Sequence, residues 1–258
     1  MSVWDKYSSR IEISGTTRRD ETKKNAQRRL KNRNKESLSF QNVIIDDVER
    51  QATIIDSDNL NEKTIISTVG EDIKCGAMIE WANYHWIVKE RDAHDEIYTR
   101  AKMLQCNYLL RWIDDNAVIH EQWCVIEDGT KYLTGEMEDR SFVVSRGDSR
   151  ISMTISRNEN TVKFNRESRF IIDDPDGKGR LAYLLTKPLK VGWVYNNDGV
   201  YCFVLQEVAT TDNDNIPLGV ADYYKYFPDE ERVNADRDHG VSINPDDNTT
   251  QEGKKVWL

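Results

Sequence analysis

The sequence lacks most of the features that mark a membrane protein or a nucleotide-dependent enzyme. No run of about 18 apolar residues occurs in the 258 residues, so no membrane-spanning helix is predicted. The first fifteen residues lack the apolar core of a signal peptide, and we expect a protein that stays in the cytoplasm at least until it assembles. Neither glycine-rich phosphate-binding motif, GxxxxGKS/T or GxGxxG, is present.

Cysteine and histidine are few and are not spaced like metal ligands. The four cysteines include no CxxC pair, and each lies among apolar or aromatic residues, which predicts small buried side chains in a reduced protein. His120-Glu121 begins like a zinc-protease motif, but Cys124 replaces the second histidine. The alternating pattern there predicts a strand, in which these positions lie about 13 Å apart. We therefore predict no catalytic, metal-binding or cofactor-binding residues, and no enzyme.

Two alternatives to that interpretation remain open in the sequence. Cys106 or Cys124 could form a nucleophilic pair with one of the four histidines, although no family signature surrounds either cysteine. The run from Asp212 to Asn215 could hold a cation weakly, but its composition is more typical of a solvated loop.

Charge is distributed unevenly along the chain. Residues 1–36 contain 11 lysines and arginines and 5 acidic residues, so this arm carries +6, whereas the whole chain carries −9 and the remainder −15. A basic arm on an acidic body indicates a negatively charged partner, either nucleic acid or an acidic face of another subunit.

The basic arm is predicted to contain one helix, over residues 17–36. Thr17 and Asp20 have the spacing of a capping box, and acidic residues in the first turn favour the helix dipole. Only Ala26 and Leu30 are apolar inside the helix, so it has no wide face to bury. We expect it to be ordered by a partner, with the preceding residues 1–15 as a docking segment.

The rest of the chain predicts a mainly β fold, with one or more small antiparallel barrels of SH3-like or related type. Short β-branched and aromatic runs are separated by turn residues, among them Ala82-Asn83 and Asp114 to Asn116. Four of the seven tryptophans lie in the densest of these runs and are predicted to form its core. The predicted organisation is an arm (1–37), a barrel domain (38–135), a second β region packed on or completing the first (136–211) and an extended acidic tail (212–258).

Partner contacts are predicted at both ends of the chain, because neither end has enough apolar residues to form a core. The arm contributes aromatic and basic residues, and the tail contributes an aromatic island and a terminal anchor. The candidate interface residues are Trp4, Tyr7, Arg18, Arg19, Lys23, Arg28, Arg29, Tyr223, Tyr224, Tyr226, Phe227 and Trp257.

A longer pattern resembles virion structural proteins of tailed phages that infect Gram-positive bacteria. The resemblance covers roughly residues 40–227, and its later parts are FNRESRFIIDD, starting at Phe164, and DYYKYF, ending at Phe227. The earlier part is carried by Gly76, Trp86-Ile87-Val88, Tyr98, Met103, Cys106-Asn107, Leu110 and Arg111-Trp112.

The resemblance implies a head-closure or head–tail connector protein that acts as a ring of identical subunits in the virion, assembled in the host cytoplasm. Its implied partners are other copies of the chain and the portal, connector or tail proteins, with possible contact to packaged DNA and none to a membrane. A tail or capsid-surface role is a further possibility. The alternative from the residues alone is a nucleic-acid-binding accessory protein that uses the basic helix.

Overall fold

The computed structural model describes residues 3–14, 17–92, 96–128, 150–173, 180–190, 193–195 and 197–228. The helices in these ranges are α1 (Val3–Ser14), α2 (Arg18–Glu36) and α3 (Tyr223–Tyr226), and a 3-10 turn covers Thr161–Lys163. The strands are β1 (Phe40–Ile45), β2 (Val48–Asp56), β3 (Glu62–Ser67), β4 (Met78–Trp81), β5 (Tyr84–Arg91), β6 (Arg100–Gln105), β7 (Tyr108–Ile113), β8 (Ile119–Asp128), β9 (Arg150–Ser156), β10 (Arg169–Asp173), β11 (Arg180–Lys187), β12 (Trp193–Tyr195) and β13 (Asp198–Val208).

The first six strands form a closed antiparallel barrel, which confirms the mainly β prediction. Their order around the barrel is β1-β2-β3-β6-β5-β4, and β4 pairs with β1 to close it. Two-residue turns join β1 to β2 and β4 to β5. The second of these is the predicted turn at Ala82-Asn83, whose φ values of 54° and 65° match the twist of paired strands.

The barrel is filled by aliphatic side chains and one large aromatic ring. Ile65, Ile79 and Met103 are fully buried, and Trp86 is 3% exposed. Trp81 packs against this core from a half-buried position. The predicted core role of the tryptophans is therefore confirmed for Trp86.

The remaining strands form a seven-stranded antiparallel sheet in the order β10-β11-β13-β9-β8-β7, with β12 paired to β13. Its two edges approach each other, because the Tyr108 hydroxyl of β7 donates to the Ile171 carbonyl of β10 over 3.3 Å. The enclosed core contains Trp112 and a row of phenylalanines that includes Phe164 and Phe170. The sheet is therefore nearly closed into a second barrel.

The predicted boundary at residue 135 differs from the observed strand pairing. That boundary assigned residues 108–128 to the first barrel, whereas β7 and β8 pair with each other and with β9 in the second sheet. The change of sheet occurs at Cys106-Asn107. The Cys106 N–H donates to the His85 carbonyl of the barrel, and the Asn107 N–H donates to the Cys124 carbonyl of the sheet.

The two bodies meet at a close backbone contact. Gly76, with φ of 86°, lies against the Gly199 carbonyl, and an added Cβ would be 2.2 Å from that oxygen. The Ser156 hydroxyl donates to the Gly76 carbonyl over 2.6 Å. An apolar cluster that includes Ile87 and Val200 continues the contact, so barrel and sheet share a packed junction.

Residues 212–228 are not an extended tail, and that part of the prediction is wrong. Val220 is fully buried against the second sheet, and the segment is held there by a nearly buried ion pair. Arg169 of β10 donates to both oxygens of Asp214 over 2.9 Å and to Asp222 over 2.9 Å. The predicted tail beyond Pro228 lies outside the described residues.

The basic arm contains two helices instead of the single one that was predicted. α2 agrees with the prediction, including the reciprocal capping box between Thr17 and Asp20. α1 covers most of the segment that was expected to be a short docking stretch. None of the helices in the described ranges is long and apolar enough to span a membrane.

Candidate partner-binding surface

α1 presents an apolar face to solvent. Val3, Trp4 and Tyr7 are 84%, 75% and 57% exposed. The Trp4 and Tyr7 rings pack edge to face with centroids 6.1 Å apart. Clustered exposed aromatic side chains are typical of surfaces that bind a partner. The structure therefore brings two of the predicted interface residues together on open surface.

α2 is held on the barrel by two of the predicted cations. Arg19 forms an ion pair with Glu96, in the connection between β5 and β6, and Lys23 lies 3.5 Å from the same carboxylate. Leu30 and Asn34, on the same side of the helix, are 8% and 7% exposed. Exposed pairs of this kind contribute only about 0–1 kcal/mol each, so the arm is anchored weakly.

Five other cations of α2 point to solvent. Arg28, Lys31 and Lys35 follow one helix face, and Arg18 and Arg29 follow another. Within the described residues none of these five forms an ion pair. Like charges one turn apart destabilise a helix by roughly 0.2–0.5 kcal/mol per pair. A negatively charged partner would relieve that repulsion.

The predicted aromatic island near the C-terminus packs inside the chain. Tyr223 and Tyr224 are only 9% and 3% exposed, so they are not available to a partner. The Tyr223 ring lies 4.8 Å from that of Phe227, which is half-buried, as is Tyr226. The last candidate, Trp257, lies outside the described residues.

A surface groove on the barrel was not predicted from the sequence. It has a volume of about 560 Å³ and lies across β2, β1 and β4. In the strand register, Ile44 of β1 is the direct partner of Glu49 on one side and of Glu80 on the other. Direct cross-strand partners share a face of the sheet, so a half-buried isoleucine lies between two exposed carboxylates. Only strand pairing reveals this arrangement, because the residues are up to 36 positions apart.

Asp114, His120 and Asn160 form a polar cluster on the second sheet. The Asp114 carboxylate accepts the backbone N–H groups of Asn116 and Val118 over 2.9 Å, and it lies 3.1 Å from Nε2 of His120. Nδ1 of His120 lies 3.2 Å from the Asn160 amide nitrogen. An imidazole protonated on Nε2 satisfies both contacts. Because both ring nitrogens are occupied, the cluster fixes the loop after β7 and does not present a free base.

The pH dependence of stability tests this structural role. The Val118 N–H, and after it His120, lower the pKa of Asp114 from 3.8 to about 2. Its contribution to stability is therefore present above about pH 4 and is lost as the pH falls toward 2. We expect Asp114→Asn to lower the melting temperature at pH 7 and the difference from wild type to shrink toward pH 2.5. Thermal melts across this range provide the measurement, with the exposed Asp58→Asn as control; a pH-independent difference would contradict the role.

The cysteines behave as buried apolar side chains. Cys75, Cys106 and Cys124 are buried, as predicted, and Cys202 is half-buried. Burial raises the pKa of the Cys75 thiol to about 11 and that of Cys106 to about 12, and it also raises the pKa of Cys124. These thiols are protonated at neutral pH, which disfavours the nucleophile alternative. The alternative of a cation site at residues 212–215 is also disfavoured, because Arg169 already balances the charge of Asp214.

The family comparison covers the barrel and the arm from residue 9 onward. Residues 9–105 match the family model of the YomX N-terminal domain. The match points to a phage protein. The family is named after YomX from a Bacillus prophage, so the match supports the resemblance to phage proteins in general. The match ends at Gln105, the last residue of β6, so it includes the complete barrel and stops where the second sheet begins. Searches of curated proteins and of solved structures gave no match to the chain.

Proposed function

We propose that this protein is a non-enzymatic structural subunit of a tailed-phage particle, at the head closure or the head–tail connector. The observation that carries the proposal is the surface of the basic arm, residues 1–37. It combines a helix that has an exposed apolar face with a row of unpaired cations, and it lies on a folded body whose net charge is negative. The phage-related family match supports the setting of the proposal.

In this role the arm of each subunit binds a neighbouring subunit, so that identical chains form a ring in the virion. Heterologous contacts of this kind close into rings when the rotation between subunits permits it. The other partners are portal, connector or tail proteins, and the assembly takes place in the host cytoplasm. A place in the tail or on the capsid surface would use the same arm with a different neighbour.

Deletion of residues 1–16 tests the proposal, because it removes α1 and leaves α2 on the barrel. We expect the shortened chain to fold with an unchanged melting temperature but to be lost from purified particles, which mass spectrometry of the particles measures. Substitution of the exposed Asp58 by asparagine is the control and should leave incorporation normal. Full incorporation of the shortened chain, or absence of the wild-type protein from particles, would overturn the proposal.

A second function, nucleic-acid binding, is favoured by the unpaired cations of α2. Each phosphate contact made by a cation releases counterions, so affinity should fall steeply with salt. We expect the triple variant Arg28→Glu, Lys31→Glu, Lys35→Glu to abolish binding of duplex DNA at about 50 mM salt, as measured by fluorescence anisotropy. The same measurement on the wild-type protein decides the matter, since a flat binding curve would remove this function.

A further inference from the structure

The apolar face of α1 has a charged border on one side. At 100° per residue, Val3, Tyr7 and Trp4 cover about one third of the helix surface. Lys6 and Arg10, four residues apart, lie next to Val3 along one edge of this face, and both side chains are exposed. The helix thus presents apolar and aromatic groups beside two cations that are about 6 Å apart along the axis.

The barrel groove has the opposite arrangement. Ile44 lies on β1, and Glu49 and Glu80 flank it on the neighbouring strands. Arg50 also lines the groove, but it is half-buried and its guanidinium donates to the Asp72 carbonyl over 3.2 Å. The two carboxylate-bearing positions are separated by two strand spacings, about 9–10 Å. Lys6 and Arg10 are about 6 Å apart along the helix axis, and their long, flexible side chains can spread to reach carboxylates about 10 Å apart. Trp81, half-buried, lines the groove where β4 ends, with its ring packed on the barrel core.

We infer that α1 of one copy docks in the barrel groove of a second copy, with Lys6 and Arg10 facing Glu49 and Glu80. The inference deepens the proposed function and rests on it, since it names the neighbour that the arm binds. Both surfaces are present in one chain and both are open in it, so each subunit supplies one helix and one groove. Such head-to-tail contacts propagate from subunit to subunit and close only if the rotation allows.

The single contact is expected to be weak. One helix of three turns in a shallow groove buries less than the roughly 1,200 Å² of a stable interface, and ion pairs at its rim add specificity more than affinity. Association should therefore depend on concentration in the purified protein and become strong only when several contacts close a ring.

Reciprocal charge reversal tests the pairing in the full chain. We expect sedimentation velocity to show concentration-dependent self-association of the wild-type protein. The variant Lys6→Glu, Arg10→Glu should weaken it at least tenfold, and Glu49→Lys, Glu80→Lys should do the same. An equimolar mixture of the two variants should restore association, because the reversed helix then meets the reversed groove. Arg166→Glu, Lys187→Glu reverses two exposed cations of the second body, away from α1 and the groove, and is the matched control that should associate like the wild type.

Three results would overturn the inference. The first is a wild-type protein that stays monomeric up to about 200 µM, a concentration at which contacts of millimolar affinity already give measurable dimer. The second is failure of the two reversed variants to associate when mixed. The third is binding of the wild-type protein to phosphatidylglycerol vesicles that is lost in Lys6→Glu, Arg10→Glu while self-association is unchanged, which would assign α1 to a lipid surface.

The same variants separate this inference from the proposed function. If the reversed variants fail to associate when mixed but the protein is present in purified particles, the groove assignment fails and the structural role stands. If mixing restores association but the wild-type protein is absent from particles, the contact stands and the role in the particle fails.

Discussion

Replacing Gly76 with alanine should destabilise the protein by roughly 2–5 kcal/mol. Part of the loss is backbone strain, because Gly76 has φ of 86° and an L-residue with a side chain pays about 1–2 kcal/mol there. The rest comes from the junction, where the new Cβ would lie 2.2 Å from the Gly199 carbonyl oxygen. Backbone is hard to displace, and overpacking of this kind costs about 1–3 kcal/mol. Chemical denaturation of the purified variant measures the loss.

Gly70→Ala is the matched control for this change. Gly70 has nearly the same φ, 88°, but no atom beyond its two chain neighbours lies within 4 Å of the Cβ that would be added. Its substitution should therefore cost only the strain, about 1–2 kcal/mol. Equal losses for the two variants would show that the contact between Gly76 and Gly199 does not hold the barrel and the sheet together. A larger loss for Gly76→Ala, with easier cleavage between residues 105 and 108, is the expected result.

Local signals in the sequence were sufficient to predict several elements. The capping box at Thr17 and Asp20 fixes the start of α2 within four residues, and the turn at Ala82-Asn83 lies between two strands that pair directly. Trp112, predicted to be core, is 6% exposed. In each of these cases neighbouring residues determine the structure, so a short stretch of sequence contains the necessary information.

The division between barrel and sheet could not be predicted in the same way. β6 and β7 are separated only by Cys106-Asn107, which looks like a hairpin turn, yet the two strands belong to different sheets. Alternation of apolar and polar residues shows that a strand has one buried face, but it does not show which partner the strand pairs with. The groove beside Ile44 was missed for the same reason, because its acidic residues come from β2 and β4.

The structured C-terminal segment was missed because its anchor is distant in sequence. Arg169 and Asp214 are 45 positions apart, and neither residue type predicts burial by itself. The composition of residues 212–253, with 11 acidic and 3 basic residues, is that of a solvated chain. A single nearly buried arginine nevertheless forms ion pairs with two of these carboxylates, and Val220 and Tyr224 pack on the sheet beside it.

Replacing Arg169 with methionine should release this segment. The Asp214 side chain is fully buried and that of Arg169 is 13% exposed, so the substitution leaves a buried carboxylate without its counter-ion. Removal of one partner from a buried ion pair costs about 3–5 kcal/mol. We expect amide hydrogens of residues 209–228 to exchange much faster in the variant while those of the barrel strands keep their protection. Hydrogen exchange followed by mass spectrometry gives both measurements in one experiment.

The exposed ion pair between Lys225 and Asp222 provides a control for the Arg169→Met variant. Lys225 lies 3.1 Å from Asp222 and its side chain is 56% exposed, so Lys225→Ala should change stability by no more than about 0.5 kcal/mol. The two variants differ in burial, while each removes one cation from an acidic segment. If Arg169→Met and Lys225→Ala had similar effects, overall charge and not the buried pair would hold residues 209–228 on the sheet. A loss confined to Arg169→Met would show that one arginine of β10 turns an acidic stretch of chain into part of the folded body.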